Sequence, residues 1–157
     1  MITKPWVQLL FFVVLSNVVH VSLMMVGQSI GSDEFVFLGL AVAFWFCVFI
    51  LVSPVDAVTT GHKLLTLTCA AGALYCLTAT VAATWADRYL FAWYVYSPLY
   101  DNFYTVMQTL TALEILSIFA NTAARMGRIG GAIDGLINHV YSATVGRAYN
   151  LLSHKRL

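Results

Sequence analysis

The chain has 157 residues, of which 61% are hydrophobic and only 10% are charged. Soluble domains carry about 25% charged residues, so this composition excludes an ordinary water-facing domain and points to helices buried in lipid. The net charge of +1 gives no bias toward nucleic acid.

The hydrophobic runs predict an all-α integral membrane protein. Four transmembrane helices, over 6–28, 35–53, 64–85 and 103–124, form a bundle within residues 1–126. A basic amphipathic tail follows at 127–157. Cys47, Cys69 and Cys76 all fall inside the runs, with no CxxC or Cys/His spacing, so no disulfide framework and no metal site is expected.

The first run, Trp6 to Gln28, follows a short basic start. It is long for a signal peptide, carries Asn17 and His20, and is followed by no small-x-small site, so an uncleaved helix is expected. Residues 31–34 read as an acidic turn. The second run ends at Ser53-Pro54, because proline disfavours helix in the residue before it. Residues 55–63 read as a polar connection that includes His62.

In the third run Thr68, Gly72, Cys76, Thr80 and Thr84 recur every four positions, one smooth ridge along a helix. Gly39, Ala43 and Cys47 repeat the pattern more weakly in the second run. In lipid, close approach across small residues is a main source of helix association, so the third helix is expected at the centre of the bundle. The loop after it is aromatic. Trp85, Tyr89, Trp93, Tyr94 and Tyr96 fit the membrane interface, or a surface for a partner.

The fourth run holds Glu114, the only acidic residue inside a hydrophobic run. A carboxylate at that depth is costly unless neutral, paired or wetted. At 1.5 Å per residue Glu114 lies about 3 Å inward of mid-bilayer and His20 about 5 Å outward. Asn17 matches the depth of Glu114 and His20 that of Gln108. With Thr111 these residues predict a polar seam between the first and fourth helices, serving as interhelical glue or as an ion or proton path.

In the tail, Leu136, Ile137, Val140, Val145, Ala148, Leu151 and Leu152 recur at helical spacing beside Arg147, Lys155 and Arg156, which reads as a helix lying on a membrane surface. Four spans put every Lys and Arg except Arg88 on one side, so both termini are expected to be cytoplasmic.

No GxSxG, HExxH or P-loop is present, and no catalytic residue is assigned. No cofactor is expected, since His20 has no second histidine within a span to complete a haem site. The short chain, few spans and basic tail are similar to phage holins and equally to many accessory subunits. The expected function is a non-enzymatic subunit or scaffold, packing in the bilayer with itself or with a larger complex, a viral envelope included. The alternative is a small oligomeric channel, holin-like pore or proton-conducting unit that uses Glu114.

Overall fold

The computed structural model describes residues 4–30, 33–52, 59–88 and 102–153, and among them there is no strand. The helices are α1 (Pro5–Ile30), α2 (Asp33–Val52), α3 (Thr60–Arg88), α4 (Phe103–Ala123), α5 (Gly127–Tyr141) and α6 (Arg147–Ser153). A π-helical turn, Ser142–Gly146, joins α5 to α6. Tyr89, Trp93, Tyr94 and Tyr96 lie outside the described residues, as does the side chain of Trp85.

Three helices are long and apolar enough to cross a membrane, over Pro5–Val26, Thr60–Ala82 and Phe103–Ala123. The expectation of four such spans is met only in part. The apolar stretch of α2, Val36–Val52, is shorter.

Two element starts differ from expectation. The acidic pair Asp33-Glu34 opens α2 instead of forming a turn, as suits the positive end of a helix. The third helix begins at Thr60 and takes in His62, because Thr59 caps it. The Thr59 hydroxyl accepts the His62 N–H at 3.3 Å, a bond from the third residue of the first turn. A second cap comes from α4, where Asn121 Oδ1 accepts the Gly61 N–H at 2.8 Å.

Neighbouring pairs α1–α2, α2–α3, α3–α4 and α1–α4 all pack together, which closes a ring. Within this ring α3 is the most connected, and it also touches α1 and α5. Its small residues explain the close fit. A Cβ on Gly72 would come within 3.1 Å of both Cys47 Sγ on α2 and Leu110 Cδ1 on α4. Thr68, Cys76, Gly39 and Ala43 are buried with it, and Thr80 is half-buried. The Gly39 surface is matched by the Phe103 ring, whose Cζ would lie 2.9 Å from an added Cβ.

The apolar core has two layers along the bundle axis. One holds Leu9, Val13, Cys47, Ile50, Leu65 and Cys69, with Ile118 packed against it. The other holds Val36, Leu40, Ala43, Cys76, Phe103 and Met107, with Leu23 and Met24 against it. Residue numbers rise along α1 as they fall along α4, so these two helices are antiparallel. The stretches 14–22 and 111–117 therefore face each other between the layers.

Candidate functional site

Four buried or half-buried polar side chains meet between those layers. Three come from α1 and one from α4. The carboxyl of Glu114 is 1% exposed and His20 is fully buried. Ser16 Oγ donates to Glu114 Oε1 at 2.6 Å, and Asn17 Nδ2 donates to Oε2 at 3.4 Å. Asn17 Nδ2 also donates to the Val13 carbonyl at 2.8 Å. On the α4 side, Ser117 Oγ donates to the Glu114 carbonyl at 2.6 Å.

His20 Nδ1 lies 3.6 Å from Glu114 Oε2, beyond hydrogen-bonding distance. Neither ring nitrogen has a hydrogen-bond partner among the described residues. Phe46 of α2 packs edge-on to the imidazole, with centroids 6.1 Å apart. Thr111 Oγ1 and, away from this cluster, His62 Nε2 are also buried without a hydrogen-bond partner among the described residues.

His20 reaches Glu114 although the depths counted along the sequence set the two residues about 8 Å apart at helical rise. Side chains on a helix lean toward its N-terminus. The antiparallel arrangement therefore tilts His20 and Glu114 toward each other and closes the gap. That lean, omitted from a depth argument based on Cα positions, is why His20 comes to lie beside Glu114.

Gln108 is a correction. It is exposed on α4, away from the cluster. The buried stripe of α4 is Phe103, Met107, Leu110, Glu114, Ser117 and Ala120. Six residues separate Gln108 from Glu114, which turns it about 120° around the helix at 3.6 residues per turn. Ser16 is the residue that the sequence reading missed. Its signal was its place in line with Leu9, Val13 and His20, spaced four, three and four, the stripe that α1 buries.

The chemistry open to this arrangement is narrow. A carboxyl and an imidazole with one exchangeable proton between them are net neutral, whichever partner holds it. With Oε1 occupied by Ser16, Oε2 is the oxygen that faces His20. Compared with models of known protein families, with characterised proteins and with solved structures, the chain matches none of them.

Proposed function

We propose that this chain is a polytopic integral membrane protein with four spans and both termini on the cytoplasmic face. It acts as a non-enzymatic subunit that packs within the bilayer with copies of itself or with a larger membrane complex. The apolar exterior of the bundle carries this reading. Phe11, Val18, Trp45, Phe49, Leu77 and Phe119 are all exposed. Soluble monomers expose apolar patches of only a few hundred Å², so lipid or another protein must cover this surface.

In this reading α2 is the fourth span. Its apolar residues 36–52 reach about 25 Å at helical rise, against a hydrocarbon core of about 30 Å. Such mismatch costs fractions of a kcal/mol per Å, and packing against both α1 and α3 offsets it. The tail supports the same picture. Ile129, Ile133, Leu136 and Val140 form one exposed apolar stripe on α5, suited to lie on a membrane surface.

The test is native mass spectrometry after gentle extraction from the protein's own membrane. A defined assembly, of identical chains or with other subunits, is expected. A protein that is monomeric in every mild detergent and copurifies with nothing would reject the subunit reading.

A second reading is favoured by the unpartnered nitrogens of His20 beside Glu114. Here the pair is a proton-handling centre in an oligomeric conducting unit, since intramembrane acids mark such paths. A proton passing from Oε2 to Nδ1 changes no net charge inside the lipid. Glu114→Gln should abolish proton flux in liposomes while assembly persists. Flux that is unchanged, or absent in the wild type, removes this reading.

A further inference from the structure

We propose that the polar cleft at the start of the bundle binds the headgroup of an anionic lipid. The cleft, about 890 Å³, is bounded by residues from α1, α3, α4 and α5. It lies at the end of the molecule where α1 and α3 begin and α4 ends.

Three helix starts converge on it. Pro5 opens α1, Thr60 opens α3, and Met126 is the N-cap of α5; all three line the cleft. Each helix start carries about half a positive charge, and such ends bind phosphate and carboxylate groups; at α3 the Gly61 and His62 N–H groups are already capped by Asn121 and Thr59, so that end adds its dipole and not those donors. Lys63 and Arg125 add two full positive charges to the same wall. Against them stand one carboxylate, Asp134, and the carbonyl end of α4. Asp134 accepts a hydrogen bond from Thr60 Oγ1 at 2.5 Å, which turns it toward α3. Lys63 Nζ gives one of its three donors to Asn138 Oδ1 at 2.5 Å and sits 5.9 Å from the Tyr141 ring centroid. Arg125 is exposed. The balance of charge at the cleft stays positive.

Position selects a lipid over another anion. Trp6 lines the cleft and is 61% exposed, and tryptophan favours the headgroup level of a bilayer. The cleft opens where the apolar spans of α1, α3 and α4 end. A phosphate on a glycerol carrying two acyl chains would be delivered to this depth by the membrane itself. The assignment rests on the membrane-spanning reading above.

The test is native mass spectrometry of the full chain in mild detergent, titrated with phosphatidylglycerol, phosphatidylcholine or inorganic phosphate. One retained phosphatidylglycerol is expected under activation that strips phosphatidylcholine. Lys63→Gln and Arg125→Gln should each weaken retention about five-fold, equivalent to about 1 kcal/mol per cation. Arg125→Lys should keep it. Equal retention of the two lipids, or no loss in the Lys63→Gln/Arg125→Gln double variant, overturns the site. Displacement of the lipid by inorganic phosphate alone overturns the lipid assignment and makes it a free-anion site. Alkaline carbonate extraction of the source membranes, before detergent is added, separates the two claims. Release from the membrane would sink the spanning reading, whereas a protein that stays but binds the lipids equally loses only the headgroup site.

Discussion

At the scale of single residues, Glu114 holds α1 to α4 through Ser16 and Asn17. The substitutions Glu114→Gln and Glu114→Leu separate its shape from its chemistry. Glutamine keeps an acceptor for Ser16 and offers an amide N–H toward His20; it loses only the long bond from Asn17, whose Nδ2 keeps the Val13 carbonyl, so stability should change little. Leucine leaves Ser16, Asn17 and His20 facing an apolar group and should cost about 1–3 kcal/mol, the penalty of stranded buried polar atoms. Unfolding in mixed micelles measures both. Equal losses would mean that the carboxyl packs as bulk only. A glycine pair gives a similar contrast. A Cβ on Gly61 would overlap the Ser117 carbonyl and come within 2.8 Å of Leu9 Cδ2, while one on Gly135 would meet nothing within 4 Å. Gly61→Ala should destabilise by about 1–3 kcal/mol, and Gly135→Ala should stabilise α5 by up to about 1 kcal/mol. The same unfolding assay would show a wrong assignment of the α3–α4 contact as a neutral Gly61→Ala.

At the scale of elements, the tail is fastened by its tyrosines. Tyr149 Oη donates to the Leu51 carbonyl at the end of α2, and Tyr141 lies under Lys63. Burial pushes both phenols above their ordinary value of 10.0, with the neighbouring Tyr141 adding to the effect at Tyr149. The docked tail therefore holds its phenolic protons more tightly than a released one. Docking is at full strength below pH 10 and is lost as pH rises through the raised values, because the released tail ionises first. Proteolysis of the tail should accelerate across that range, and phenolate absorbance should lag behind that of free tyrosine. Tyr149→Phe should remove about 0.5–1.5 kcal/mol of docking at neutral pH. Absorbance that follows free tyrosine would contradict the docked arrangement.

The same scale shows what the sequence made legible. Hydrophobic runs marked α1 and α4 to within two residues at each end, because lipid-like length and a charged or proline boundary are local properties. The small-residue ridge of α3 was legible for the same reason: Gly72 needs only a spacing to be recognised. The start of α3 was not, because its caps are Thr59, a weak signal alone, and Asn121, which is remote in sequence. Gln108 was misplaced and Ser16 overlooked because a polar seam depends on which rotational face α1 and α4 share. That face is set by the Leu9, Val13, Leu110 and Met107 packing above and below it. The place of His20 beside Glu114 depends on the opposed lean of side chains on antiparallel helices, which no single run displays.

At the scale of the molecule, the four spans proposed above give a sharp topological expectation. Ser29 at the end of α1 and Asn150 in α6 are both exposed and should lie on opposite faces of the membrane. Single Ser29→Cys and Asn150→Cys variants should label with an impermeant maleimide from opposite sides of sealed vesicles. Cys47, Cys69 and Cys76 are buried and should stay silent until the protein is denatured. Labelling of both variants from one side would reduce the bundle to an odd number of spans.

The seam between α1 and α4 joins the first and last helices of the ring, and Ser16 and Glu114 stand 98 residues apart in the chain. A ribosome adding about 5–20 residues per second needs roughly 5–20 s to deliver the acid after the serine has emerged. Throughout that interval the polar face of α1 has no mate. If the chain spans the membrane as proposed, the nascent helix must wait inside the insertion machinery, or against another polypeptide, until α4 arrives. Biogenesis of this protein is therefore a closing step governed by its C-terminal half. Truncation before α4 should leave a first helix that the cell's membrane quality control treats as an orphan.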